Sequence, residues 1–432
     1  MTVADTEATQ SAPLRNRAFL CLMGYRLFTI LSYQVVAVTV GWHIIELTRD
    51  PWKLGLVGLA EVLPFFCVAP FAGYLVDHLR KRRLGIIACL GLAITPLLLV
   101  PFATAWIFGA ADQSTPRLWL IYLAVMFTGA VRSFLGPVYN TLFACALPRE
   151  QFARGSSIGA VVFQLALALG AGLGGIAIGI AHRVNHYPDG STFAAGWAYG
   201  LAALFAIAAV VSLLMLRVDE PPLSTERNPI FASIGEGLGF VFRTPVMLGA
   251  MALDMFAVLF GGAVSLAPAF IKDVLHAGPE ALGLLRGAPA IGAVMVGLWL
   301  ARHPIQRHAG RIMLCSVAGF GLCIIGFGLS KALWLSVVLM FLSGAFDGVS
   351  VVIRSTILQL ATPDAMRGRV SSINSIFISS SNELGAFYAG SMAKLLGLTT
   401  AVVVGGCVTL GVTAFTAWKL PVLRRLDLRE LQ

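Results

Sequence analysis

Ionisable residues lie inside long apolar stretches of this chain, foremost Arg26, Glu61, Arg132, Asp254, Asp347 and Glu383. A charge in hydrocarbon costs roughly 2.5–3.5 kcal/mol on insertion scales, so each needs a partner, a watery cavity or a task. The chemistry open to such groups is holding a polar solute and carrying protons. A carboxylate taken out of water disfavours its charged form, which suits it to pick up and release a proton. Asp254 and Glu383 are the carriers expected by depth, and the arginines would hold an anionic solute or keep a carboxylate charged. The structural alternative is a set of fixed interhelical ion pairs that only set packing. Arg286 and Arg354 lie nearer segment ends, where long side chains are expected to snorkel to the interface.

Other chemistries find no residues. The seven cysteines show no CxxC spacing, so neither a zinc site nor a disulfide framework is indicated. No His/Cys/Asp cluster has metal-ligand spacing, which argues against a metal exporter. No Gly-rich phosphate loop is present, so no nucleotide is implied. No helix carries paired histidines with carboxylates, so a membrane-embedded enzyme is not indicated and no cofactor is expected.

The elements that must position these groups are membrane helices. Of 432 residues, 58% are hydrophobic and only 12% charged, with a mean hydropathy of +0.84. The apolar residues come in blocks of about 20 to 28, long enough for a hydrocarbon core of roughly 30 Å. Blocks of that length are helices, and the short alternating segments of a barrel are missing. Twelve helices are expected, over 18–45, 54–77, 84–108, 117–145, 156–182, 195–217, 245–271, 281–302, 311–330, 332–361, 370–396 and 398–420. The first run is too long for a cleaved signal peptide and is expected to stay. The polar stretch 218–244 divides the rest six and six. The fold class is therefore an all-α membrane protein: residues 1–217 and 245–432 form two pseudo-symmetric six-helix bundles joined by a linker at 218–244.

The net charge of +10 sits in short loops and reads as a topology signal, not as nucleic-acid binding. With the N-terminus inside, twenty of the 31 Lys/Arg fall in inner segments, seven in outer loops and four within helices. Both termini and the linker are thus expected in the cytoplasm. Trp42, Trp106, Trp119, Trp197 and Trp334, with His43, His276 and His303, fall near segment ends, as interfacial belt residues do.

An internal repeat supports the division. Ala146 to Ile158 (ALPREQFARGSSI) resembles Ala361 to Ile373 (ATPDAMRGRVSSI) at an offset of 215 residues. The same offset places Gly129-Ala130 on Gly344-Ala345 and sets Arg132 against Asp347, opposite charges expected to face one cavity. Internal repeats mark secondary transporters, whose site lies between the repeats near mid-membrane.

The loop between the second and third segments reads Gly73-Tyr-Leu-Val-Asp77-His78-Leu-Arg80-Lys81-Arg82-Arg83. It resembles the Gly-x-x-x-Asp-Arg signature of the major facilitator superfamily in wording and in place, with His78 where arginine is usual. The resemblance implies a conformational latch made by Gly73, Asp77, Arg80, Arg82 and Arg83, with Asp77 facing a helix N-terminus of the other half. Arg132-x-x-x-Gly136 is similar to the family's buried-arginine motif. Gly170-Ala-Gly172-Leu-Gly174-Gly175 is similar to its antiporter glycine motif, without the usual Gly-Pro step. Stretches such as Trp42 to Thr48 and Leu54 to Ala60 resemble the branch containing enterobactin-type siderophore exporters, which also holds drug-efflux proteins.

The resemblance implies a proton-coupled secondary transporter of a bacterial inner membrane. It would act as a monomer, rocking one half against the other, and export a small organic molecule, foremost a siderophore. A multidrug efflux pump is the alternative. A cargo rich in anionic groups calls for cationic cavity residues, whereas lipophilic cations call for carboxylates and aromatics; both sets occur here.

Overall fold

A computed structural model of the chain describes residues 13–103, 116–148, 151–185, 193–218, 220, 230–303, 305, 307–363 and 367–431. The first half holds α1 (Arg17–Thr48), α2 (Pro51–His78), α3 (Lys81–Ala103), α4 (Pro116–Ala146), α5 (Phe152–Asn185) and α6 (Phe193–Met215). A short helix α7 (Ile230–Arg243) leads into the second half: α8 (Pro245–Phe260), α9 (Ala267–Asp273), α10 (Pro279–Arg302), α11 (Ala309–Leu329), α12 (Leu333–Ala361), α13 (Arg367–Leu396), α14 (Leu398–Lys419) and the one-turn α15 (Pro421–Arg424).

One expectation is corrected. The seventh expected segment is not one helix: α8 stops at Gly261-Gly262, a 3-10 turn follows over Ala263–Leu266, and α9 completes the crossing. The successive glycines carry no side chain to sustain the helix, and the backbone of Gly385 packs against Gly262. Within the stretch 218–244, α7 occupies Ile230–Arg243 and buries Val241 against Met247, Met251 and Leu358. Of the twelve expected segments, eleven are apolar and long enough among the described residues to cross a membrane by themselves. The exception is α13, whose 30 residues include seven serines, two asparagines and Glu383. It packs against α2, α8 and α14, and Ser381 and Ser391 return their hydroxyls to the Ile378 and Phe387 carbonyls of their own helix at 2.9 and 2.7 Å. Back-bonding of this kind satisfies serine without water.

Local sequence sets the helix starts. Asn16 caps α1 by accepting from the Ala18 and Phe19 amides at 2.9 and 3.3 Å, and its own amide donates to the Ala146 carbonyl ending α4. Asp50 caps α2 through the Trp52 amide at 3.0 Å, with Pro51 in the first turn where its missing N–H is harmless. Small residues let the helices approach, which in lipid replaces the hydrophobic drive. Gly129 of α4 meets the Glu61 backbone of α2, and its repeat mate Gly344 of α12 meets the Pro289 backbone of α10.

The apolar core is not uniform along the bundle axis. Away from the termini one cluster runs through both halves, from Val35, Ile44 and Ile178 to Phe270 and Leu282. Nearer the termini the core separates into a cluster around Phe19 and Leu142 within the first half and another around Met313 and Ile353 within the second.

Candidate functional site

Arg132, in the middle of α4, holds the central position. Its guanidinium forms ion pairs with Glu61 of α2 and, at 3.2 Å, with Glu383 of α13. It also lies over the Tyr33 ring of α1, 4.1 Å from the centroid. The three charged side chains are 12–20% exposed, too buried for water to supply the counter-charge. Glycines place them. Gly129, one turn before Arg132, admits the Glu61 backbone, and Gly58, one turn before Glu61, admits the Glu383 backbone. Any side chain at these positions would push α2 from its neighbours and pull the triad apart.

Two more arginines stand near. Arg26 of α1 lies over Tyr139 of α4 and Phe163 of α5, at 4.0 and 5.2 Å from the ring centroids. Arg286 of α10 is within electrostatic reach of Glu383 and Tyr33. Neither forms an ion pair among the described residues, and each buries an Nε without a partner. The centre thus sets Arg132 and Arg286 against Glu61 and Glu383, both already committed to Arg132, while Arg26 sits apart over its two rings.

The remaining expected site residues fall elsewhere. Asp254 pairs with Arg354 of α12 in a buried contact within the second half, so Arg354 turns inward instead of snorkelling. Asp347 is Arg132's mate by the repeat, yet no ion pair joins the two; it forms none among the described residues. Tyr33 is the contributor that sequence reasoning passed over, and Arg286, expected to snorkel, turns inward to Tyr33 and Glu383 instead. Tyr33 follows Arg26 by seven residues, two turns along one helix face, and that spacing was the available signal. His43 is not interfacial but buried against the Tyr199 hydroxyl at 3.1 Å, and Trp42 is buried too. Trp119, Trp197 and Trp334 are exposed, as a belt requires, while Trp106 lies outside the described residues.

Of the latch residues, Gly73 lies within α2 and the side chain of Asp77 is outside the described residues. Arg82 donates to the Leu213 carbonyl at the end of α6 at 2.7 Å, while Arg80 and Arg83 are exposed. The N-terminus of α3 is capped by Glu220, which accepts from the amides of Lys81 and Arg82 at 2.8 and 3.0 Å. The second half repeats the device: Asp427, beyond its last helix, accepts from the His308 amide that opens α11.

The glycine motif of α5 serves two neighbours. Gly170 and Gly174 lie against Gln34 and Val38 of α1, and a Cβ on Gly175 would come 2.6 Å from the Gly283 nitrogen of α10. Across the same boundary, a Cβ on Gly55 would come 2.9 Å from the Gly390 Cα, and Trp52 packs on Phe387 at 5.3 Å. Two ion pairs complete the seam: Glu46 with Lys272 at 2.6 Å and Arg183 with Glu280 at 2.7 Å. These contacts between the halves all lie from mid-depth to the face away from the termini.

A duplicated helical bundle with a charged triad bridging its halves at mid-depth defines a transporter of the major facilitator type. Solved structures agree on the fold. A bacterial homolog of the human lysosomal transporter Spinster superposes with a TM-score of 0.69 at 13% identity, covering 98% of each chain. A D-xylose–proton symporter gives 0.70 at 13% identity, covering 93% of this chain and 97% of that one. The profile of the transmembrane secretion effector family matches residues 8–432, and the chain belongs to that family. Among curated relatives, the enterobactin exporter EntS of Citrobacter koseri is 24% identical over 390 residues, and that of Escherichia coli O1:K1 25% over the same length; each alignment covers 88% of this chain and 86% of the relative.

Proposed function

We propose that this chain exports a small organic molecule carrying anionic or acidic hydroxyl groups, foremost a siderophore, across a bacterial inner membrane by proton-coupled alternating access. The observation that carries the reading is Arg132, held at once by Glu61 of its own half and Glu383 of the other. An ion pair that crosses the boundary at mid-depth must be remade when the halves rock apart. A proton taken up by Glu383 cancels its charge and leaves Arg132 to Glu61, which frees the halves to separate. Loss of the proton on the other side restores the bridge.

The direction of opening follows the core. One apolar cluster seals the halves together away from the termini, and separate clusters divide them near the termini. With both termini and the 218–244 linker in the cytoplasm, this arrangement is the cytoplasm-open state, ready to load cargo for export. Residues 1–217 and 245–432 are the two moving bodies, working within one monomer.

The excess of arginine over available carboxylate favours an anionic cargo over lipophilic cations. The 24–25% identity to enterobactin exporters is consistent with that class. Deleting the gene, growing cells in low iron and assaying medium and cell extract for a retained chelator tests the reading. Accumulation of chelator inside the mutant supports it; normal secretion together with new sensitivity to dyes or antibiotics would replace it with drug efflux.

A further inference from the structure

We propose that Arg26, Tyr139 and Phe163 form a second anion subsite, separate from the Arg132 triad, that takes a planar aromatic anion such as an aryl carboxylate or a catecholate. The proposal rests on the export reading for its place in the cycle, but its geometry stands alone. Arg26 lies nine residues into α1, about 14 Å along the helix. An arginine at that depth requires compensation. Elsewhere in the bundle carboxylates provide it: Arg132 has Glu61 and Glu383, and Arg354 has Asp254. No described carboxylate comes within ion-pair distance of Arg26, and its buried Nε has no acceptor.

What Arg26 has instead is two aromatic rings, Tyr139 at 4.0 Å and Phe163 at 5.2 Å, and a hydrogen bond to the Tyr139 hydroxyl. Ring faces attract the cation but accept no strong hydrogen bond from the fork of five donors. The Tyr139 hydroxyl takes one N–H of the fork, while the buried Nε edge is left ready for an acceptor such as a carboxylate or a pair of vicinal oxygens. Phe163 is 38% exposed, so one ring is free to receive a flat ligand beside the cation. Aromatic surface next to an unneutralised guanidinium selects for ligands both planar and anionic. Tyr33, under Arg132, lies two turns further along α1, about 10 Å away. A cargo with two acidic arms reaches both arginines.

Equilibrium binding of radiolabelled benzoate to the full chain in lipid nanodiscs, without any gradient, tests the subsite. Acetate and benzylammonium serve as competitors. The expected result is saturable benzoate binding, weakly displaced by acetate and not by benzylammonium. It should weaken at least tenfold in Arg26→Gln and by an intermediate factor in Arg26→Lys, which keeps the charge but loses the planar fork. Phe163→Leu should weaken benzoate without changing acetate. Melting temperature and a single monodisperse peak certify each variant; if Arg26→Gln does not fold, Arg26→Lys and Phe163→Leu carry the test. Unchanged benzoate affinity in the folded variants, or benzylammonium competing as well as benzoate, overturns the subsite. Binding is read apart from transport. A strain that secretes normally after deletion therefore removes the export reading and leaves the subsite standing if benzoate binding still depends on Arg26.

Discussion

Glu383 lies 3.2 Å from Arg132 although the two belong to different halves of the molecule, 251 residues apart in sequence. Motion of one half against the other must break that contact, which makes it the natural place to couple charge to conformation.

Glu383→Gln should therefore uncouple the cycle. Energised export in everted vesicles is expected to fall at least tenfold, while exchange of labelled for unlabelled cargo persists. Arg132→Lys should not substitute, because an ammonium cannot hold two carboxylates with a planar fork. Full gradient-driven export by Glu383→Gln would show that the proton travels elsewhere.

The Asp254–Arg354 pair is nearly sealed, with side chains 8% and 5% exposed. Arg354→Met leaves a buried carboxylate uncompensated, and removing one partner of such a pair costs about 3–5 kcal/mol. The fluorescence-detected melting point should drop sharply, and adding Asp254→Leu should restore most of it. Equal melting of the single and double variants would remove the pair from the stability of the second half.

Gly175→Leu should force α5 from α10, since even a Cβ would sit 2.6 Å from the Gly283 nitrogen. The seam away from the termini is expected to open. Spin labels at positions 52 and 394, introduced as cysteines into a cysteine-free background, should move apart by several ångströms in electron–electron double resonance.

The two carboxylate caps should act independently and alike. Glu220→Ala and Asp427→Ala each remove an acceptor at a helix N-terminus, worth about 1 kcal/mol. Lying in separate halves, the two losses should add. A cost for the pair well above the sum, measured by chemical unfolding in nanodiscs, would mean that the caps communicate.

Reversing the exposed Arg183 should matter little to stability. Its bridge to Glu280 is open to solvent on the arginine side, and exposed pairs contribute about 1 kcal/mol or less. Arg183→Glu is expected to melt within a degree or two of the parent.

Much of the architecture is legible in the chain because lipid allows so few solutions. Apolar blocks must be helices, and the Gly129/Gly344 repeat lands on equivalent packing contacts in the two halves. Side-chain partnerships are less legible because they form between helices far apart in sequence. Offset 215 relates Arg132 to Asp347 by descent of the repeat, not by contact, and the true partners Glu61 and Glu383 come from α2 and α13. Depth along a helix likewise does not tell which way a side chain faces. Arg354 looked free to reach the interface, yet it turns inward to Asp254. The break in the seventh segment was written as Gly261-Gly262, but an apolar run hides a kink unless flanking contacts are known.

The polarity of α13 bears on how the protein is made. A stretch with seven serines and Glu383 gains little by entering lipid alone, so it must be integrated together with a partner. Only Gly397 separates it from the apolar α14, and the two are suited to entering as a hairpin. Glu383 then remains uncompensated until that hairpin reaches Arg132, synthesised some 250 residues earlier. Closing the Glu383–Arg132 contact thus ties the last-made helices of the bundle to the first half.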